Sequence, residues 1–382
     1  MAIYFDNAAT TFPKPPGMSA AMAAFQDTIA ANPGRSGHRM SVEAGRVLYE
    51  ARDRLASLFG VNDPLRIVFT LNATMALNIA FAGLLKPGDH VVTTSMEHNS
   101  VARPLRWLES TGVGLTIVEA DRATGALEAG DIIEALKPST KLVAMIHASN
   151  VTGTIIPVAE VGAETGKRGV VLLVDAAQTA GAVSINVDRM NIDLLAFTGH
   201  KSLFGPMGTG GLYVRPGLNL EPLLRGGTGS RSEEDIQPEF MPDRLESGTP
   251  NTVGAAGLRA GLRFIEETGL PRIIEHKKTL TKHFLNGLRE IKGATVCGLT
   301  TPDNRLSIVA LNIRGRECSE VARLLDERYG ILVRAGLHCS PWAHKTIGTY
   351  PSGAIRFSFG YFNTEDEIDA SLAALAELSD GA

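Results

Sequence analysis

Five short apolar runs, each closing on polar or ionisable residues, constrain this chain more than any other feature. Val170-Val171-Leu172-Leu173-Val174 ends at Asp175, and Leu194-Leu195-Ala196-Phe197-Thr198-Gly199-His200 ends at Lys201. Arg66-Ile67-Val68-Phe69-Thr70 leads into Asn72-Ala73-Thr74, and His90-Val91-Val92-Thr93-Thr94 leads into Glu97-His98-Asn99-Ser100. Leu142-Val143-Ala144-Met145-Ile146 leads into His147-Ala148-Ser149-Asn150. Apolar runs of this length are the pattern of strands buried on both faces in a parallel sheet. The amphipathic stretches 76–85 and 101–110 between them are long enough for the crossover helices that parallel strands require. In open α/β sheets ligands bind beyond the carboxyl ends of the strands. Five polar termini therefore describe one site at one edge of a mainly parallel sheet. Taken singly, a strand-end Asp capping a helix and a solvated Lys would be ordinary; the recurrence argues otherwise.

An acid and an amine delivered to one edge suit pyridoxal 5'-phosphate (PLP), which needs a carboxylate for its pyridinium nitrogen and an amine for a Schiff base. Lys201 is the candidate for the amine, since desolvation favours its neutral, nucleophilic form. Asp175 is the candidate for the ring nitrogen. A phosphate is best held at a helix N-terminus. The turn from Thr70 into the helix near Met75 supplies that geometry, with Thr74 and the Ala73 amide as first donors and Thr198 and His200 completing the shell. In Ala354-Ile355-Arg356-Phe357-Ser358-Phe359 the alternation places Arg356 opposite the apolar face of a strand, where a bidentate contact to a substrate carboxylate can be made.

Length and composition fit without deciding. A chain of 382 residues exceeds one ordinary core and predicts two domains. Its 44% hydrophobic and 20% charged content is that of a globular protein. A formal charge of −4 without a basic block argues against broad nucleic-acid binding. No run is apolar enough to span a bilayer and no secretory leader is evident, so a cytoplasmic protein is expected. Cys297, Cys318 and Cys339 are too few for a disulfide framework and are expected as thiols. No metal-ligand spacing is present, and no metal site is expected.

Six motifs in order carry a resemblance: Tyr4-Phe5-Asp6-Asn7-Ala8-Ala9-Thr10, Glu97-His98-Asn99, Val174-Asp175-Ala176-Ala177-Gln178, Gly199-His200-Lys201 with Phe204-Gly205-Pro206, Glu246-Ser247-Gly248-Thr249-Pro250-Asn251, and Arg334-Ala335-Gly336-Leu337-His338-Cys339. Together they resemble the class V aminotransferase group of fold-type I PLP enzymes, and within it the cysteine desulfurases and selenocysteine lyases. The resemblance implies a large PLP-binding domain over 15–252 with a mainly parallel sheet. A smaller α/β domain would be formed by 1–14 and 253–382. It further implies His98 stacked on the cofactor ring and able to move a proton, Asn150 and Gln178 on its phenolic oxygen, and Thr249 reaching the phosphate of a partner subunit in a homodimer with shared sites. Asn7, and Arg35 in the loop that also holds His38, join Arg356 as candidate substrate contacts.

Cys339 separates a desulfurase from an ordinary aminotransferase. It falls in a loop after Arg334 and His338, cations that would lower its pKa from about 8.5. The resemblance implies that L-cysteine or L-selenocysteine is converted to alanine, with Cys339 attacking the substrate sulfur and carrying a persulfide to an acceptor protein or small thiol. Two departures stand out: Met75 where relatives carry Glu, and Leu337 where relatives with a compact cysteine loop carry His. A C–S lyase or epimerase releasing free product, which needs no Cys339, and a silent scaffold are the other readings.

Overall fold

The structure is a computed structural model and describes residues 2–34 and 37–380. The chain opens with strand β1 (Ile3–Tyr4) and helices α1 (Met18–Thr28) and α2 (Arg39–Phe59). His38 caps α2 by accepting the Ser41 N–H, and Gly60 ends it in the left-handed conformation that a β-carbon disfavours. Seven strands then form the large sheet: β2 (Ile67–Thr70), β3 (His90–Thr94), β4 (Gly114–Val118), β5 (Thr140–Ile146), β6 (Val171–Asp175), β7 (Leu194–Thr198) and β8 (Gly210–Val214). Interspersed among them are α3 (Ala73–Leu84), α4 (Asn99–Ser110), α5 (Ala129–Glu134) and α6 (Val158–Arg168).

The order across the sheet is β2-β8-β7-β6-β5-β3-β4. Pairing is parallel except for β8, which runs antiparallel to both neighbours. Because β8 reverses twice, β2 again points the same way as β7. The carboxyl ends of β2, β3, β5, β6 and β7 thus share one edge, as the five apolar runs predict. β5, β6 and β7 are buried along nearly their whole length and carry the core on both faces.

The second half begins with α7 (Thr252–Thr268), which packs on α1 and α2 and brings Leu258, Leu262 and Ile265 into the core beside Phe197 and Phe204. After α8 (Leu270–Leu288) come β9 (Ala294–Cys297), β10 (Ile308–Ile313), α9 (Cys318–Tyr329), β11 (Ile331–Leu332), β12 (Arg334–Gly336), α10 (Pro341–Thr346), β13 (Ala354–Ser358) and α11 (Glu365–Asp380). The sheet β12-β13-β10-β9 is antiparallel. The N-terminal segment joins this region: β1 pairs with β11, and Phe5 packs among Phe284, Phe357 and Phe359. Among the described residues no helix is long and apolar enough to cross a membrane.

Candidate active site

The shared strand edge opens into a cavity of about 290 Å³. Its wall includes Ala73, Thr74, His98, Asn150, Asp175, Gln178, Thr198, His200, Lys201, Cys339 and Arg356. Strand ends place Asp175 and the Thr198–Lys201 turn; helix starts place Ala73, Thr74 and His98. The far wall comes from β12, β13 and the loop that carries Cys339.

Each local conformation has a cause. Asn72 caps α3 by accepting the Met75 N–H at 2.9 Å. The amides of Ala73 and Thr74, which no carbonyl of their own helix can reach, are left at the cavity wall. Thr74 Oγ1 lies 2.8 Å from Ser100 Oγ, which in turn lies 2.8 Å from His98 Nδ1. His98 Nδ1 also caps α4 by accepting the Ser100 N–H at 3.0 Å. Burial, followed by the positive charges of Lys201 and Arg334, pushes the His98 imidazole down to about 4, so it is neutral.

Asp175 is buried and Lys201 half-buried, and the loss of water around each has opposite consequences. Burial lowers the Lys201 ammonium to about 8, against the pull of Asp175, which favours the charged form. Burial raises the Asp175 carboxyl, and the Ala177 N–H, donated at 2.8 Å, opposes this. The backbone around Lys201 is held by the N-terminal segment. Thr11 Oγ1 donates to the Lys201 carbonyl at 2.6 Å, and Lys14 Nζ and Thr10 Oγ1 donate to the His200 carbonyl at 2.7 and 3.1 Å.

Arg356 is the largest fully buried side chain. Its guanidinium donates to Asp6 Oδ1 at 2.8 Å and to the Asn150 carbonyl at 3.0 Å, while its Nε has no partner among the described residues. His200 Nδ1 is likewise buried and unpartnered. Asn150 also turns its amide to the Cys339 loop, donating from Nδ2 to the His338 carbonyl at 2.8 Å and accepting from Ser340 Oγ at 2.7 Å. Gln178 Nε2 donates to the Ala8 carbonyl at 3.0 Å.

Two sequence candidates lie elsewhere. Asn7 is not on the cavity wall: its Nδ2 donates to the Ser358 carbonyl and to Asn363 Oδ1, and its Oδ1 accepts from the Phe12 N–H. Thr249 is exposed and lines a separate groove of about 400 Å³ with Phe69, Met75 and Glu246. Arg35 lies outside the described residues. One expectation is corrected: His338 is no cation beside Cys339, because burial and Arg356 push its imidazole down to about 2. Cys339 itself is exposed, Cys297 is half-buried and Cys318 is buried.

Sequence reasoning assigned no role to Asp6, Ser100, Ser340 or Glu246. Asp6 and Ser100 sit inside quoted motifs, so motif membership was the available signal. Glu246 pairs with the buried Arg52 at 2.8 Å and accepts the Phe69 N–H at 2.5 Å, tying the 246–251 motif to β2.

A fold with this sheet edge, a lysine and a buried aspartate on one cavity wall and a helix N-terminus facing it defines a class, and comparison with known proteins gives the family. The aminotransferase class-V family model matches residues 3–370, and the chain belongs to that family, as its motifs imply. It is 36% identical to a probable cysteine desulfurase of Methanothermobacter thermautotrophicus, over 99% of this chain and 94% of the relative. A probable cysteine desulfurase of Pyrococcus abyssi is 35% identical over 98% and 94%. Among solved structures, an apo cysteine desulfurase from Thermococcus onnurineus NA1 superposes with a TM-score of 0.93 at 36% identity, covering 100% of this chain and 95% of that one. A cysteine desulfurase of Escherichia coli in an S-sulfonic acid form gives 0.88 at 28%, covering 99% and 95%. The fold is therefore that of the fold-type I PLP enzymes.

Proposed function

We propose that this protein is a PLP-dependent cysteine desulfurase that converts L-cysteine to L-alanine and retains the sulfur as a persulfide on Cys339. The observation that carries the reading is a thiol, Cys339, on the same cavity wall as Lys201, Asp175 and Arg356. An elimination or epimerisation has no use for a thiol there.

The residues present suit the cofactor. Two polar atoms, His200 Nδ1 and Arg356 Nε, are buried without partners among the described residues, which suits acceptors supplied by a phosphate and a carboxylate. Ala73 and Thr74 offer amides at a helix start, with Thr74 Oγ1 and Thr198 beside them. Asn150 Nδ2 keeps one hydrogen beyond the one given to the His338 carbonyl. Lys201 would carry the cofactor, Asp175 would face the ring nitrogen, and neutral His98 would lie against the ring. When bound, PLP supplies an aldehyde for the substrate amine and a ring that takes up electrons released at Cα.

Arg356 binds the substrate carboxylate and orients the molecule. Lys201, partly neutral near its lowered pKa, removes the Cα proton. Cys339 as thiolate attacks the substrate sulfur: the S–S bond forms as the Cβ–S bond breaks, and the electron pair left on carbon is protonated to give alanine. Substrate carbon is reduced by two electrons and the sulfur pair is oxidised, so no outside oxidant is needed. The persulfide then passes to an acceptor thiol. The exposed place of Thr249, away from its own chain's cavity, supports a homodimer in which each Thr249 serves the partner's site; a cofactor-saturated monomer in sedimentation would remove that part of the reading.

The test is Cys339→Ala. It should bind L-cysteine at ordinary concentrations, judged by the change in cofactor absorbance, yet form no persulfide by mass spectrometry and release little alanine. Alanine release near the wild-type rate would replace desulfuration with elimination.

A further inference from the structure

His338 and Cys339 are consecutive non-glycine residues with φ of +50° and +56°. L side chains rarely hold this left-handed region, and two in a row need outside support. The backbone supplies part of it. Cys339 C=O accepts the Asn99 N–H at 2.8 Å, and the Ser340 N–H donates to the Leu337 carbonyl at 2.8 Å. Asn150 grips the His338 carbonyl and Ser340 Oγ from the other side.

The remaining support is a chain of buried imidazoles that the desulfurase chemistry does not use. His338 Nε2 lies 3.3 Å from the Arg334 carbonyl, which can only accept, so Nε2 carries the hydrogen. A neutral His338 must then accept at Nδ1, and the atom facing it at 3.2 Å is Nε2 of His344. His344 therefore donates from Nε2 and accepts at Nδ1, where Thr349 Oγ1 lies at 2.6 Å. The two rings are stacked 5.4 Å apart at 26°. Every polarity is thereby fixed: Thr349 hydroxyl to His344, His344 to His338, His338 to the Arg334 carbonyl.

We propose that His344 is a positioning residue for Cys339: through this one-way chain it fixes the tautomer and ring orientation of His338, and so holds the left-handed His338–Cys339 turn that aims the thiol into the cavity. The proposal rests on Cys339 being the nucleophile. His344 is not on the wall that Cys339 shares with Lys201 and Arg356, so its loss should act after substrate binding. The residues that bind and orient cysteine stay in place while the attacking sulfur loses its direction.

His344→Leu, His344→Gln and Thr349→Val, each as the PLP-loaded enzyme, separate the possibilities. Gln places an N–H where His344 Nε2 stands and keeps the donor to His338; Leu removes it. His344→Leu should lower kcat for alanine formation at least tenfold with KM for cysteine within twofold. It should also change the rate of Cys339 alkylation by iodoacetamide, without substrate, at least threefold. His344→Gln should recover kcat to within about threefold of wild type, and Thr349→Val should lose only a fewfold. If His344→Leu does not fold, the Gln and Val variants decide by the same measurements. The proposal fails if kcat and alkylation are both unchanged in His344→Leu, or if His344→Gln is as impaired as Leu. Cys339→Ser run in parallel keeps the two readings apart. If that variant makes alanine at the wild-type rate, the desulfurase reading itself falls; if it is inactive while His344→Leu is unimpaired, only the positioning role falls.

Discussion

Arg356 shows how a residue's job can be legible while its partners are not. Strand alternation placed it opposite the apolar face, and the structure puts it on the cavity wall. It pairs with a carboxylate present from binding to product, so removing it should remove mostly uniform binding. A charged contact truncated in a desolvated site costs roughly 2–5 kcal/mol. Arg356→Ala should therefore raise KM for cysteine at least tenfold in steady-state alanine formation, with a smaller fall in kcat; a lost kcat at unchanged KM would contradict the role. Asp6→Asn should move KM the same way by a smaller factor, since the guanidinium loses its countercharge. Asp6 itself stands 350 positions from Arg356 in the chain, and no local pattern announces a pair across that separation. Asp175 and Lys201 were legible because each ends an apolar run. The neutrality of His338 was not, because burial by β12, β13 and α10 is a tertiary fact. Asn7 illustrates a third case: its motif pointed to the site, and the structure commits its amide to Ser358 and Asn363.

At the scale of elements, the strands that end in polar residues are the ones the sequence discloses; β4 and β8 of the large sheet escaped notice, and β8 shows why. Gly210-Gly211-Leu212-Tyr213-Val214 begins with two glycines, a composition that weakens any strand reading. Tertiary packing supplies the reason for them. β8 is squeezed between β2 and β7, and a β-carbon on Gly211 would lie 2.8 Å from the Val68 carbonyl oxygen and against the Phe197 ring. Neither neighbour is a flexible chain end, so the strand or the ring must shift. Overpacking of this kind costs roughly 1–3 kcal/mol. Gly211→Ala should lower the urea midpoint accordingly at unchanged m-value; an unaltered midpoint would mean that the sheet yields more easily than the packing indicates. Because β7 carries Thr198 and leads to Lys201, the same variant should also weaken cofactor retention.

Across the whole molecule, the buried histidines set the response to acid. Burial drives His98, His147, His200 and His344 down to about 4 and His338 down to about 2, from an ordinary value of 6.5. The folded state therefore binds fewer protons than the unfolded chain once pH falls below 6.5. Stability must drop with falling pH from there until the folded-state values are reached, by up to about 1.4 kcal/mol per pH unit for each fully titrating group. Glu97 acts in the opposite sense. Its carboxyl is pushed up to about 8, so between 4.5 and 8 the folded state holds a proton that the unfolded chain has released. Raised Asp175 and Asp193 share that sign. Lys14, Lys201 and Lys277, lowered to about 8, are protonated in both states below pH 7 and contribute no slope there. His90, lowered in the same direction by burial, makes six imidazoles against three carboxyls across the window from 6.5 down to 4.5. The urea midpoint should thus be clearly lower at pH 5.0 than at pH 7.0, and His147→Gln, which removes one titrating ring outside the cavity wall, should flatten the dependence. A midpoint that holds steady or rises on acidification would mean that these rings take up protons while still folded.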